Sequence, residues 1–470
     1  MNHIEEMISD LVSRARAAQQ AVSNYTQKEI DLVRLAAAWE VYRDDRISML
    51  AEAAVRETSM GNVKDKITKH KNKILGVVKD ITGALSVGCI ERDEAKGISK
   101  YAKPVGVVGA LTPVTNPTAT PGSNAVSVLK GRNAVIFAPH PKSKDSSSLA
   151  VSFMREGLKR IGAPEDLVQI IAEPSIPATE ELMKQVDLVL ATGGAAMVKA
   201  AYSSGTPAYG VGPGNSVQMV AEDADVHDAA AKITLSKCFD YATSCSSENS
   251  VIVEKSVYDS FVRQCIEEGG YLCSPREKEL LEQWMWKSGR DGGARVLNPA
   301  IVAQSAQVIA RDAGLDVPSH IRMLLVEGSE PAAEDRFAYE KLSPVLTLWK
   351  YADFSHGVRL LEEITNACGR GHSCGIHTFN RDYIEHLADR MLTSRIMVRQ
   401  AQAPANGGSF TNGMPSTVTL GCGTWGGNIT TENISYRHFL NITWVSEPIS
   451  GERPTDEEMF APLWKQAGKG

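Results

Sequence analysis

The sequence predicts an α/β protein built on doubly wound parallel sheets, and two observations carry that prediction. Continuous apolar runs, such as residues 105–111 and 134–138, have the composition of buried parallel strands. Segments with helical periodicity separate these runs, so strands and helices alternate along most of the chain. Because ligands of such sheets bind at the carboxyl ends of strands, the search for a site starts there.

The elements follow in order, beginning with helices. Predicted helices lie at residues 4–12, after the capping box of Thr26 and Glu29, and from about 47 to 60, where Gly61 ends the helix. The helical region should finish near Ile81, and a short extended segment follows at residues 85–101.

The alternating region comes next and is expected to form the body of the fold. Its predicted strands are 105–111, 134–138, 167–171 and 188–191, and its predicted helices are 121–130, a helix capped by Asp145 and Ser146, 179–185 and 195–203. A second α/β unit is predicted from strands 251–254, 323–326, 346–349, 374–378 and 396–398 and helices 257–268, 357–366 and 384–392.

Three parts are expected from this order. A cofactor-binding domain would take residues 1–84 and 102–235, and a catalytic domain would take residues 236–430. An oligomerisation element would combine residues 85–101 with 431–470. The tail reads as one apolar strand that needs a partner, so we expect at least a homodimer or homotetramer; its apolar residues are Ile434, Tyr436, Phe439, Leu440, Ile442 and Trp444.

Composition excludes several classes of function. The chain has 470 residues, 43% hydrophobic and 23% charged, with a net charge of -6, so neither nucleic acid nor an anionic membrane is an expected partner. No apolar stretch is long enough to span a bilayer, and the N-terminus does not look like a secretory signal. Eight cysteines without paired spacing indicate neither disulfides nor a zinc site, which favours a reducing cytoplasm.

Cys245 is the candidate nucleophile. It stands in a short polar loop between a helix and a β-branched strand, where a thiol suits covalent catalysis. The alternative is that Cys245 is a small buried residue, which is the commoner fate of a free cysteine.

Two strand ends also stand out: Thr112 to Thr118 after the first strand, and Gly193-Gly194 before a helix, where backbone N–H groups can approach a diphosphate. The usual GxGxxG fingerprint is absent.

Several separated motifs together resemble the aldehyde dehydrogenase superfamily, and within it the CoA-acylating branch. The resemblance covers nearly the whole chain and extends most to members that act on sulfoacetaldehyde or succinate semialdehyde. It rests on residues 113–118, 138–141, 191–194, 210–215, 244–248, 371–373 and 420–426.

The resemblance implies a mechanism through a thiohemiacetal and a thioacyl-enzyme on Cys245. Asn116 and the backbone N–H of Cys245 would stabilise the alkoxide. His372 would accept a proton or deprotonate CoA, unless it is only a structural loop histidine. Hydrolytic members place a glutamate where Val211 stands here, so acyl transfer to coenzyme A is expected, with a hydrolytic enzyme as the rival. A catalytically silent binding protein with the same fold is a second rival.

The resemblance also implies a site for NAD or NADP, and both remain open. Its expected residues are Leu111, Thr112, Pro113, Val114, Thr115, Asn116, His140, Lys142, Gly194, Gly212, Glu340 and Leu420. Glu340 would accept from ribose hydroxyls, while Lys142 or Lys144 would pair with a 2′-phosphate. His140 has an alternative role in closing a turn between two prolines.

The substrate is expected to be a short anionic aldehyde. Arg399 is the candidate substrate residue because a guanidinium suits a sulfonate or carboxylate, whereas surface ion pairing is expected for Arg395. Sulfoacetaldehyde is the first choice, succinate semialdehyde the second and an uncharged aldehyde the third.

No metal site is expected, because strand alternation would send Cys374 and His377 to opposite faces.

Overall fold

A computed structural model describes residues 3–287 and 296–468 of the chain. Two parallel sheets with helices against them form the body, and a small antiparallel sheet stands apart from both. The predicted α/β class is therefore confirmed.

The first unit opens with four helices. They are α1 (His3–Ala21), α2 (Gln27–Tyr42), α3 (Asp44–Thr58) and α4 (Val63–Ile81). The predicted capping box of Thr26 and Glu29 opens α2, and Asn62 caps α4. The hairpin β1 (Gly88–Asp93) and β2 (Ile98–Pro104) follows.

The first parallel sheet has the strand order β5-β4-β3-β6-β7. The order reverses between β3 and β6, which is the switch point of a doubly wound sheet. Its elements are β3 (Val107–Leu111), α5 (Ala119–Lys130), β4 (Ala134–Ala138), α6 (Lys144–Arg160), β5 (Val168–Ile170), α7 (Ile176–Gln185), β6 (Leu188–Thr192), α8 (Ala195–Tyr202) and β7 (Ala208–Val211).

The start of α6 differs from the prediction. Asp145 and Ser146 lie in its first turn and do not cap it. Their backbone N–H groups instead donate to the carboxylate of Glu57, which reaches over from the end of α3. A carboxylate at a helix N-terminus is favoured by the helix dipole, and a contact between distant elements of this kind has no local sequence signal.

The second parallel sheet has seven strands in the order β10-β13-β14-β9-β8-β15-β16. Its elements are β8 (Ser216–Val220), α9 (Val226–Cys238), β9 (Glu248–Glu254), α10 (Tyr258–Glu267), β10 (Gly270–Leu272), α11 (Pro275–Met285), α12 (Ala306–Asp312), β13 (Met323–Glu327), β14 (Val345–Tyr351), α13 (Phe354–Ala367), β15 (Cys374–His377), α14 (Arg381–Arg390) and β16 (Ile396–Val398). A two-stranded ribbon, β11 (Trp286–Lys287) and β12 (Val296–Leu297), and the short α15 (Gln402–Ala405) complete it.

The second sheet begins earlier in the chain than the predicted boundary after residue 235. β8 pairs with β9 and β15, and α9 packs in the core of the same unit through Ala230 and Ile233. We therefore propose that the catalytic unit starts at β8, and keep the remaining domain limits as predictions.

The tail is only partly the strand that the sequence predicts. Ile434, Tyr436 and Phe439 pack into the core of the first unit, and the strand β17 begins only at Leu440 (Leu440–Ser446). β17 pairs with β2, so the segment at 85–101 and the tail do form one sheet. A last helix, α16 (Asp456–Ala467), follows it.

No helix among the described residues is long and apolar enough to cross a membrane. All eight cysteines are free thiols.

Candidate active site

A cavity of about 520 Å³ lies between the two parallel sheets. One wall is formed by segments that follow β3, β4, β6 and β7, which is the carboxyl edge of the first sheet. The other wall is formed by segments that precede β9 and β14, which is the amino edge of the second sheet. Residues from both units thus line one cavity.

Cys245 lies on the wall formed by the second sheet, just before β9. Its side chain is half-buried, and burial raises the pKa of the thiol to about 12, with the nearby Glu340 acting in the same direction. The backbone of Gly214 lies close against Cys245, since a Cβ at Gly214 would stand 2.1 Å from the Cys245 carbonyl oxygen. Because the thiol is protonated at neutral pH, it needs a proton acceptor to become a nucleophile.

His372 supplies a proton acceptor. Its Nε2 lies 3.3 Å from Cys245 Sγ, and its Nδ1 lies 2.9 Å from Ser373 Oγ, which in turn lies 2.7 Å from Ser216 Oγ. Burial lowers the pKa of His372 to about 3, so the ring is neutral at physiological pH. With Nδ1–H donating to Ser373, Nε2 is the free acceptor that faces the thiol.

Arg395 holds the histidine in place, which corrects the expectation of a surface ion pair. The side chain is buried and donates to His372 O at 2.9 Å, Gly421 O at 2.7 Å and Asn433 Oδ1 at 2.7 Å. Its guanidinium therefore ties the His372 turn to the loop that carries Leu420. No pattern in the sequence distinguishes this role from that of an exposed arginine.

The wall formed by the first sheet presents a side-chain amide, that of Asn116, to the cavity. Pro113, Val114, Thr115 and Asn116 line the cavity after β3. Within the described part of the chain, the Asn116 side-chain amide has no hydrogen-bond partner and faces the same space as Cys245. A neutral amide donor in this place can stabilise an alkoxide on a carbon attached to Sγ.

A dinucleotide fits the groups at the carboxyl edge of the first sheet. Gly194 is the N-cap of α8 and gives it no side-chain cap, and a Cβ at Gly194 would meet nothing within 4 Å. The backbone N–H groups that begin α8 are therefore open to a diphosphate. The buried Thr112 Oγ1 also has no partner among the described residues.

Glu340 is the one carboxylate that lines the cavity, counting the described residues. Burial raises its pKa to about 8, although a backbone N–H of Gly214 donates to it. Val211 and Gly212 lie nearby in the same lining, and neither brings a general base.

Lys73 is a cation that the sequence did not single out. It lies on α4 and lines the cavity, and its Nζ donates to Gly407 O at 3.0 Å. No carboxylate among the described residues pairs with it, whereas Lys66 and Lys69 on the same helix face both pair with Asp240. Burial lowers the pKa of Lys73 to about 8, and the neighbouring Lys69 acts in the same direction.

The comparisons with known proteins agree with this geometry. A model of the aldehyde dehydrogenase family matches residues 2–278. The chain belongs to this family. It is 62% identical over 460 residues to a sulfoacetaldehyde dehydrogenase of an Acholeplasma species, covering 98% of this chain and 95% of that one. An acylating sulfoacetaldehyde dehydrogenase of Bilophila wadsworthia is 56% identical, over 98% of this chain and 99% of the relative.

A solved structure shows the same fold over nearly the full length. The crystal structure of an acetylating aldehyde dehydrogenase from Geobacillus thermoglucosidasius superposes with a TM-score of 0.91 at 35% identity, covering 96% of this chain and 98% of that one. The resemblance to the acylating branch is thus confirmed, and this aldehyde dehydrogenase is an oxidoreductase of that branch.

Most of the predicted site residues of this aldehyde dehydrogenase lie together. The residues predicted from the resemblance that line the cavity are Pro113, Val114, Thr115, Asn116, His140, Gly194, Gly212, Cys245, Glu340 and Leu420. His372 lies behind the wall, in contact with Cys245. His140 closes the turn, because its Nδ1 accepts from Lys142 N at 3.1 Å, and its contact with a cofactor stays a prediction.

Besides His372, four predicted residues lie outside the cavity lining. Leu111 and Thr112 are buried in and just after β3, where they support the wall. Lys142 is exposed beside His140, and its contact with a cofactor stays a prediction.

Arg399 is the fourth, and the structure does not place it in the cavity lining. It follows β16 at the carboxyl edge of the second sheet, which is the edge opposite to the cavity. Its Nη1 donates to Thr378 O at 2.6 Å and its guanidinium stacks on Phe379. Arg395 and Arg399 are close in sequence but lie at opposite edges of the sheet, because β16 runs between them.

Proposed function

We propose that this enzyme oxidises a short anionic aldehyde to its CoA thioester, with Cys245 as the nucleophile and NAD or NADP as the oxidant. Sulfoacetaldehyde is the proposed substrate and succinate semialdehyde the alternative. The contact between Cys245 Sγ and His372 Nε2, inside a cavity lined by Asn116 and Glu340, is the observation that carries the proposal.

The proposed first step is attack of Cys245 on the aldehyde carbon. His372 Nε2 accepts the thiol proton as the C–S bond forms, which a neutral imidazole can do and an imidazolium cannot. The Asn116 amide and the backbone N–H of Cys245 donate to the oxygen as it takes up negative charge. A bound nicotinamide dinucleotide supplies the hydride acceptor.

The proposed second step releases the acyl group to coenzyme A. A thiol attacks a thioester readily, whereas water needs a general base. Val211 offers none, and Glu340 is assigned to the ribose hydroxyls of the cofactor, which leaves a thiol as the better acceptor. Once His372 has released its first proton to solvent, it can take the proton of the incoming thiol and pass it to Cys245 as the C–Sγ bond breaks.

The anionic character of the substrate is supported by Lys73. It is a cation without a carboxylate partner in the described structure, in the same cavity as Cys245, and it is protonated at neutral pH because its pKa is about 8. An ammonium group in a half-buried cavity is favourable when an anion occupies the same space. An uncharged aldehyde would leave that charge unpaired.

We further propose that the protein is a cytoplasmic homodimer or homotetramer assembled through the sheet β1-β2-β17. Apolar side chains stand exposed on β17, with Trp444 at 61% and Val445 at 42% exposure. Eight free thiols are consistent with a reducing compartment.

The test is steady-state reduction of NAD and of NADP with sulfoacetaldehyde, with and without CoA. Turnover should require CoA and disappear in Cys245→Ala, while Cys238→Ala, which lies outside the cavity lining, should stay close to wild type. Turnover without CoA would mean that water reaches the thioester. CoA-dependent turnover with succinate semialdehyde alone would keep the mechanism and reject the substrate.

A further inference from the structure

Three consecutive residues before the nucleophile have backbone angles that side chains disfavour. Asp240, Tyr241 and Ala242 have φ values of 49°, 52° and 59°, and none of them is glycine. A single non-glycine residue in the left-handed region is uncommon, and three in succession need surroundings that impose them. This segment leads directly into Thr243, Ser244 and Cys245, so its conformation sets where the thiol points.

The carboxylate of Asp240 supplies those surroundings. It is fully buried, and its Oδ2 accepts from Lys66 Nζ at 3.1 Å, from Lys69 Nζ and from Thr243 Oγ1 at 2.8 Å. Its Oδ1 accepts from the backbone N–H of Asn62 at 3.0 Å.

The backbone of Asp240 is held as well, and all of its distant anchors lie at the start of α4. The N–H of Asp240 donates to Asp65 Oδ2 at 2.8 Å. Although burial alone would raise it, the ammonium groups of Lys69 and Lys66 hold the pKa of Asp240 below its usual value. The carboxylate is therefore charged and anchored to the first unit, while the loop belongs to the second.

Gly61 shows how closely the two units approach at this point. It has φ +70°, and a Cβ there would lie 1.8 Å from Asp240 Oδ1. α3 itself ends at Thr58 with Ser59 as its C-cap, not at Gly61 as predicted. Gly61 lies in the turn between α3 and α4, where it makes room for the carboxylate, and a methyl group would push Asp240 away.

We propose that Asp240 is a positioning residue that holds the strained segment 240–242, and with it the Cys245 thiol, in the orientation facing His372 and Asn116. The proposal rests on the proposed function, since it takes Cys245 to be the nucleophile. Helix α4 then has two roles. It carries Lys73, and through Asp240 it fixes the distance between the wall formed by the first sheet and the nucleophile.

A matched pair of substitutions at Tyr241 tests the strain directly. Tyr241 is half-exposed and does not line the cavity. Glycine adopts the left-handed region freely and a β-branched residue does not, so Tyr241→Gly should keep kcat within about two-fold and Tyr241→Val should lower it at least about ten-fold. Equal behaviour of the two variants would overturn the proposal.

Asp240→Asn tests the anchor, with the rate of Cys245 alkylation by iodoacetamide as a readout that needs no substrate. Both kcat and alkylation should fall by about a hundred-fold, because small misplacements of a reacting group are costly, while NADH affinity by fluorescence titration stays unchanged. Adding Tyr241→Gly should recover part of the loss. Wild-type alkylation and kcat in Asp240→Asn, or parallel loss of NADH affinity, would overturn the proposal.

Gly61→Ala covers the case in which Asp240→Asn does not fold. It keeps the carboxylate and both lysines in the chain but crowds Asp240 Oδ1 and, at 3.0 Å, Lys66 Nζ, so alkylation should slow while NADH still binds. If Cys245→Ala retained CoA-dependent turnover, the proposed function would fail, and alkylation would still report independently on the loop.

Discussion

Burial moves the pKa values of Cys245 and His372 away from neutrality in opposite directions. The thiol has its pKa raised to about 12, and the imidazole has its pKa lowered to about 3. At the pH of a cell neither group is charged. The pair therefore starts as thiol and neutral imidazole, and in the proposed mechanism the charge appears only as the aldehyde is attacked.

The dependence of Cys245 alkylation on pH follows from these values. Below a raised pKa the thiolate fraction increases about ten-fold per pH unit, so the rate should climb without a plateau from about pH 6 to pH 9. His372, with its lowered pKa, stays neutral over that range and adds no inflection. Iodoacetamide kinetics on wild type, with Cys245→Ala as the blank, measure this. A plateau near pH 7 would show a thiolate that burial does not suppress.

Lys73 should decide the preference for a charged substrate. Lys73→Met is expected to lower kcat/KM for sulfoacetaldehyde about ten- to a hundred-fold, which is the effect of losing one charge-assisted hydrogen bond. The kcat/KM for propanal should stay almost unchanged. Lys64→Met is the control, since Lys64 is exposed on the same helix. Parallel losses for both aldehydes would show that Lys73 serves the fold and not the anion.

Site residues that belong to a sequence motif were predictable, whereas residues that reach the site only because of how the chain folds were not. Cys245, Asn116 and Glu340 each stand in a motif of the family, and they line one cavity. Lys73 and Arg395 stand in no motif, because their role depends on which edge of a sheet the chain brings them to. The position of Arg399 outside the cavity lining could not be predicted for the same reason.

At the scale of elements, the alternation of strand and helix was predictable because each buried strand is an apolar run. The short strands β7 and β8 were missed. They flank the turn Gly212-Pro213-Gly214, whose composition is typical of a loop. The tail was taken for one strand because apolar residues at 434–439 pack as a turn against the first core, and alternation alone does not separate the two cases.

Arg395 joins three elements, and its loss should be costly. Arg395→Met leaves buried carbonyl groups of the His372 turn and the Gly421 loop without a donor, so the free energy of unfolding should fall by about 3 kcal/mol or more. Urea unfolding measures it.

Arg399→Met is the matched control for that substitution. Arg399 is only half-buried and its donor reaches a single carbonyl, so the loss should stay near about 1 kcal/mol with activity retained. Similar destabilisation by both variants would contradict the difference in burial.

At the scale of the whole molecule, the exposed face of β17 should set the oligomeric state. Ile442→Ser combined with Trp444→Ser should reduce the molar mass in solution, because it removes apolar surface that a partner would bury. Sedimentation or light scattering measures it. Ile176→Ser, an exposed apolar residue far from the tail in sequence, should leave the mass unchanged. A wild-type monomer would end the proposal.

The cavity has one wall from each unit, and the division of labour between the walls has a consequence for recombination between relatives. The unit before β8 contributes Gly194 and Lys73 to the cavity, while the unit from β8 onward contributes Cys245, the proposed nucleophile, and holds His372 behind it. On the roles proposed above, a chimaera that exchanges only the residues before β8 should take its cofactor preference and its preference for a charged aldehyde from the same parent. Cys245 would come from the other parent. Whether two parents combine into a working chimaera should depend on the ion pairs of Asp240 with Lys66 and Lys69, because these pairs join the two units.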